Sequence, residues 1–155
     1  LLNYSSKAQL EQILKEYGEE QFASHIAQAI VRARAQKHLQ KTSQLVGIIE
    51  QATPKWYRSK RIHPATKTFQ ALRIAVNNEL ENLREGLRQA KELVSLNGKI
   101  AVISFHSLED RIVKEFFKQE PLLKPMNKKP ITPSSAEIKR NPRARSAKLR
   151  VAIKP

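Results

Sequence analysis

The chain has 155 residues, 40% of them apolar, which supports one domain or a small domain with part of another. It has no cysteine, which excludes disulfides and thiolate metal sites, and no apolar run near the ~18–20 residues of a membrane span. The net charge is +15, and residues 121–155 alone carry ten Lys/Arg against one Glu, a balance that favours a polyanionic partner through counterion release. Nucleic acid fits this charge better than a membrane surface, because no basic amphipathic helix with bulky apolar anchors stands out. The absence of cysteine suits a cytoplasmic protein. The opening Leu1-Leu2-Asn3, without a start methionine or signal pattern, reads as the middle of a longer protein.

The first third reads as three short helices. Ser6 caps the first, with Gln9 three residues on as in a capping box; Leu10, Ile13, Leu14 and Tyr17 share a face, and Gly18 is the expected stop. The second turns Phe22, Ile26, Ala29, Ile30 and Ala33 inward and has a basic C-terminal part, Arg32, Arg34 and Lys37. The third opens at Thr42 or Ser43, carries Leu45, Val46, Ile48 and Ile49, and ends near Pro54. Such helices suit a small bundle or an inserted cap.

Residues 55–61, KWYRSKR, place four cations beside two aromatics. Lys55 and Arg58 can hold phosphates while Trp56 and Tyr57 stack on bases; equally, the aromatics can pack on the domain beneath. His63-Pro64 then opens a long helix with a stripe of Phe69, Leu72, Val76, Leu80, Leu83 and Leu87, which is core packing. Gln70, Arg73, Asn77 and Asn78 lie off that stripe, facing solvent or a neighbouring domain.

After the Asn97-Gly98 turn signal, Ile100–Phe105 is a continuous apolar run, as expected of a strand buried on both faces of a parallel sheet. His106, Ser107, Glu109 and Asp110 follow, and then a helix with Leu108, Ile112, Val113, Phe116 and Phe117 on one face. Polar groups at the carboxyl end of a strand are where open α/β sheets bind ligands. Ser107 is the expected helix cap, with Asp110 at its third position, while His106 is placed to hydrogen-bond a ligand in a cleft. Adjacent His106 and Ser107 do not make a catalytic pair, no nucleophile elbow is present, and His106 with Glu109 is a weak metal pattern, so no metal is expected. The four glycines are isolated, so no dinucleotide or phosphate loop can be drawn.

Residues 121–146 hold five prolines, no glycine and little periodicity, with a short strand expected near Ile131. Asn141–Arg150, NPRARSAKLR, sets Arg143, Arg145, Lys148 and Arg150 around an extended turn, suited to phosphate contact or to tying the loop to Glu109 or Asp110. Leu149, Val151 and Ile153 alternate with polar or small residues, the pattern of an antiparallel strand near an edge.

Three segments together resemble one family: RIHPATKTFQALRIAVNNELENL from Arg61, GKIAVISFHSLEDRIVKEFF from Gly98 and NPRARSAKLRVA from Asn141, with YGEEQFASHIAQAIVRAR from Tyr17 similar as well. They look like the bacterial 16S ribosomal RNA cytosine-N4 methyltransferases. The resemblance implies the C-terminal part of a Rossmann-like α/β methyltransferase sheet plus an inserted α-helical domain that helps recognise RNA, with residues 1–62 as the insert and 63–155 as the methyltransferase part. It implies S-adenosylmethionine as cofactor, with the cofactor loop, the ribose-binding acid and the main catalytic motif in an N-terminal half that has no counterpart here. It implies 16S ribosomal RNA in the small subunit as partner, no membrane, and either a homodimer or pairing with that other half. The stretch from Phe117 to Lys129 is short for the family. His63, Thr66, Gln70, Ser104, His106, Arg143 and Arg145 are the expected cleft residues, with Lys55, Trp56 and Arg58 as further RNA contacts. A non-catalytic RNA- or ribosome-binding module is the alternative on the residues alone.

Overall fold

The computed structural model describes residues 1–59 and 61–155; Lys60, one of the four cations of the 55–61 segment, lies outside the described residues. The chain forms two compact units, Leu1–Glu79 and Leu80–Pro155. Sequence reading places its division after residue 62; the compact unit runs further because the helix after His63 packs along the first helix.

The first unit is helical: α1 (Lys7–Gly18), α2 (Ala23–Gln36), α3 (Thr42–Ala52), the single turn α4 (Lys55–Arg58) and α5 (Ala65–Asn77). The capping box at Ser6 forms as its sequence predicts: the Gln9 N–H donates to Ser6 Oγ at 3.2 Å and the Ser6 N–H to Gln9 Oε1 at 2.8 Å. Gly18 is not the left-handed stop; Glu19 takes that role at φ 45°. Gly18 is instead a close approach, since a Cβ there would lie 2.9 Å from the Lys67 carbonyl and 3.3 Å from Ala71 Cβ. The core gathers Leu10, Leu14, Ile26, Ile30, Leu45 and Ile49, all essentially excluded from solvent.

The expected single long helix breaks at Asn78, which is left-handed at φ 51° and separates α5 from α6 (Glu79–Leu93). Asn tolerates that conformation better than most residues, so the Asn77-Asn78 pair is a stop signal hidden within a helical pattern. Of the expected stripe, Phe69 and Leu72 pack partly buried against the core, but the most buried face of α5 is a different one. It is Ala65, Thr68, Ala71 and Ile74, small enough to let α1 approach at Gly18, and Val76 is exposed.

The second unit holds α6 from Leu80, β1 (Lys99–Ser104), α7 (Ser107–Gln119), β2 (Lys124–Pro125), α8 (Ser135–Arg140), a 3-10 turn (Pro142–Ser146) and β3 (Lys148–Ile153). The α/β class holds. The parallel, doubly buried strand does not: the sheet order is β1-β3-β2 and both pairings are antiparallel, with Ile100 opposite Ala152 and Ile103 opposite Leu149. Along β1, Ile100 and Ser104 are buried while Ala101 and Ile103 are exposed, so one face of an apolar strand is covered. The covered face packs Ile100 and Ala152 on Leu87 of α6 and on Val113 and Phe117 of α7. The strand expected near Ile131 is a single bridge to Leu149, and β2 and α8 arise in the proline-rich stretch that carried no periodicity. The Asn97-Gly98 turn forms as predicted, with Asn97 left-handed at φ 62° and Gly98 too close to Val94 Cγ2, 2.6 Å from where its Cβ would be, for any side chain.

Candidate nucleic-acid interface

The turn from β1 into α7 is closed by its own side chains. Its cap is His106 rather than Ser107, one residue earlier than the sequence pattern places it. The Glu109 N–H donates to His106 Nδ1 at 3.3 Å, and the Glu109 carboxylate accepts the N–H groups of Phe105 at 2.8 Å and His106 at 3.3 Å. Because Nδ1 accepts, the imidazole proton sits on Nε2, which faces Glu109 Oε1 at 3.4 Å. Ser104, the other expected cleft residue here, is buried with its hydroxyl directed to the Lys148 carbonyl at 3.4 Å.

Arg150 supplies the tie between the basic C-terminal segment and the turn. Its guanidinium is buried and grips Asp110 through two hydrogen bonds, 2.7 and 3.2 Å, while Nη1 donates to the Lys128 carbonyl at 3.4 Å. These bonds hold the Asp110 carboxyl below its ordinary range, against the opposing effect of burial, and Lys148 at 3.6 Å adds to the shift. So of the arginines in NPRARSAKLR, Arg150 is structural. Arg143 and Arg145 stand exposed on the 3-10 turn with no ion pair among the described residues. In the same unit, Lys114, Lys118 and Lys128 rim a hollow of about 280 Å³ floored by Phe117 and Val151.

In the first unit the structure separates the expected residues by role. His63 accepts the Ala65 N–H at Nδ1, 3.2 Å, capping α5, and its Nε2 lies 3.5 Å from Glu50. Gln70 spends its amide on the Tyr17 carbonyl at 3.3 Å, whereas Thr66 is exposed on the first turn of α5. In α4 the two aromatics divide. Tyr57 is buried and its hydroxyl donates to Glu20 Oε2 at 2.7 Å; desolvation first, and then Glu20, push its ionisation well above the usual tyrosine range. Trp56 is 57% exposed and meets Phe22 edge-on at 5.8 Å; Lys55 and Arg58 flank it in solvent. Sequence reasoning passed over a groove of about 580 Å³ between α2 and α3, lined by His25, Gln28, Arg32 and Gln36 from one helix and Gln51 from the other. The signal was present as helical spacing and as a run from Gln21 to Ile49 with no Asp or Glu.

The backbone N–H groups at the turn after β1 are already satisfied by Glu109, and Gly47 and Gly86 lie within helices. No described helix is long and apolar enough to cross a membrane.

The model of the MraW methylase family matches residues 1–155. A curated protein of Persephonella marina named "Ribosomal RNA small subunit methyltransferase H" is 54% identical over 155 residues, covering 98% of this chain and 53% of that protein. Proteins of the same name from a Sulfurihydrogenibium species and a Geobacter species are 53% and 46% identical, over 97% and 99% of this chain and 53% and 55% of theirs. The Geobacter alignment runs over 172 positions, more than this chain contains. The chain spans about half the length of the curated relatives it matches. A match over every residue, together with identities near one half, makes the chain a member of the MraW methylase family.

Proposed function

We propose that the protein carrying this chain transfers a methyl group from S-adenosylmethionine to the exocyclic N4 amine of a cytidine in small-subunit ribosomal RNA, in the cytoplasm. The observation that carries the reading is the family match over all 155 residues, joined by relatives named as small-subunit ribosomal RNA methyltransferases. The +15 charge, concentrated in residues 121–155, fits an RNA substrate. In this reading the helices before residue 63 are the recognition insert, and α5 is the part of the methyltransferase domain on which they pack. Residues 63–155 belong to a Rossmann-like methyltransferase domain whose cofactor site lies mostly in the other half of the protein.

The role of this half is to hold RNA. Arg143 and Arg145, exposed and unpaired among the described residues, contact phosphates, as do Lys55 and Arg58 beside Trp56. His63, Thr66, Gln70, Ser104 and His106 act on the cleft chiefly by fixing the backbone around it, since four of the five direct their polar atoms to partners within the chain. The stretch from Phe117 to Lys129, short beside the family the chain resembles, is read here as a loop between α7 and the rest of the domain. The free edge of β1 and the exposed Ile103 call for cover by the other half of the protein, or by a second copy when this half stands alone.

The test is methyl transfer by the whole protein onto small subunits lacking the modification, with the product nucleoside resolved by mass spectrometry. N4-methylation of a cytidine is expected. Transfer to another base or to no RNA would overturn the reading. A non-catalytic RNA- or ribosome-binding module is favoured by one observation, the turn after β1 whose N–H groups are already occupied. That alternative predicts RNA binding with no transfer in the whole protein.

A further inference from the structure

We propose that the groove between α2 and α3 binds a single-stranded segment of RNA, with base edges read by glutamine amides and one end of the segment stacked on the Phe22–Trp56 aromatic patch. The proposal rests on the RNA reading above and goes further by naming the surface and the form of RNA.

The groove follows from helix geometry. His25, Gln28, Arg32 and Gln36 recur at steps of three and four, so they form one face of α2, and Gln51 of α3 faces them. Between these long side chains the floor is made of Ala29, Ala33 and Ala52, which leaves about 580 Å³ of room. Within the described residues, the side chains of Gln28, Arg32, Gln36 and Gln51 make no hydrogen bond or ion pair. Neighbours outside the groove are committed: Arg34 donates to the Leu2 carbonyl at 2.6 Å, and Gln44 Oε1 accepts the N–H groups of Gln40 and Lys41. Several unspent amides converging on one hollow provide both donors and acceptors, the complement of a nucleobase edge.

Charge selects the class of partner. From Gln21 to Ile49 there are four Lys/Arg and no acidic residue, with Glu20 and Glu50 flanking the run, so positive charge outweighs negative along the helices that form the groove. Arg32 inside it is placed for a phosphate. Aromatic surface selects a single strand. His25, in the groove wall, lies edge-on to Phe22 at 6.2 Å, and Phe22 to the exposed Trp56 at 5.8 Å, so a stacking surface continues from the groove's end. Paired bases in a duplex are stacked on each other and show these groups little; unpaired bases show both face and edge.

The experiment uses the full chain and fluorescent oligoribonucleotides of about 12 nucleotides, within the ~4–16 nucleotide sites of single-strand binders. Arg32→Ala and the pair Gln28→Ala/Gln51→Ala are each expected to weaken single-strand binding about tenfold. The glutamine pair should also flatten discrimination among homopolymer sequences, which loss of charge or of packing would not do. Lys7→Ala, an exposed cation on α1, should change affinity little, and duplex RNA should compete poorly. Circular dichroism melts matched to the parent confirm that each variant is folded. Parental affinity in both groove variants overturns the proposal, as does an equal loss of binding to polyglutamate, which would make the groove a general polyanion or protein surface. If the groove variants bind as the parent while the whole protein still methylates ribosomal RNA, this inference falls alone. If the whole parent protein transfers no methyl group to RNA, the functional reading falls instead.

Discussion

Arg150 holds Asp110 by both edges of its guanidinium, Nε to Oδ1 at 2.7 Å and Nη2 to Oδ2 at 3.2 Å, and so fastens the last strand to the helix that follows the first. Both groups are largely buried, and neither has enough water around it to compensate for losing the other. Asp110→Asn would leave the arginine uncompensated and should cost about 3 kcal/mol in urea denaturation. The pair also carries a pH signature. Because the native state lowers the Asp110 ionisation, its contribution is complete above the ordinary carboxylate range and fades as pH falls below about 4. Acid titration of stability should therefore be shallower in Asp110→Asn than in the parent.

Tyr57 gives the opposite sign. Its hydroxyl bonds to buried Glu20, whose other oxygen accepts the Phe22 N–H at 2.9 Å. Tyr57→Phe should destabilise by about 1–2 kcal/mol, since a carboxylate oxygen loses its partner. The native state raises the tyrosine ionisation, so the parent loses this stability as pH climbs past about 10, where unfolded tyrosine ionises. The difference between parent and Tyr57→Phe should narrow in that range, read from denaturation curves at stepped alkaline pH.

Thr68 is fully buried in α5, and its hydroxyl has no hydrogen-bond partner among the described residues. Valine has the same shape without the unsatisfied oxygen. Thr68→Val is expected to raise stability by about 1 kcal/mol, seen as a higher urea midpoint at unchanged slope.

Arg143 and Arg145 stand free on the turn before β3. If each neutralises one phosphate of single-stranded RNA, the double Ala variant should reduce the slope of log affinity against log salt by about 1.4. Fluorescence anisotropy across a salt series reads this, and an unchanged slope assigns both arginines elsewhere.

What could be read from sequence was what is decided locally. Ser6 and Gln9 announce α1 because a capping box is complete within four residues, and Asn97-Gly98 announces its turn for the same reason. What was missed depends on residues far apart in the chain. Gly18 looks like a helix stop until Lys67 and Ala71 press against it, and Ile100–Phe105 looks doubly buried until β3 pairs with it from some fifty positions away. The cap after β1 slipped from Ser107 to His106 because an imidazole can also accept an amide proton, a capacity that propensity rankings underweight. At the candidate interface the charge was legible, whereas the sequence left Trp56 and Tyr57 alike open between stacking on bases and packing on the domain. The division of labour between Arg150 and its neighbours was not legible, since it rests on one contact across forty residues.

The one-sided burial of β1 has a consequence for how substitutions would be tolerated. Selected for folding alone, a library across Lys99–Ser104 would show a beat of two: Ile100 and Ser104 intolerant, Ala101 and Ile103 permissive. Selected for growth that depends on the whole protein, the same library would lose that beat wherever the outer face is put to use. The two profiles, subtracted, would map the positions at which this strand serves something other than its own stability.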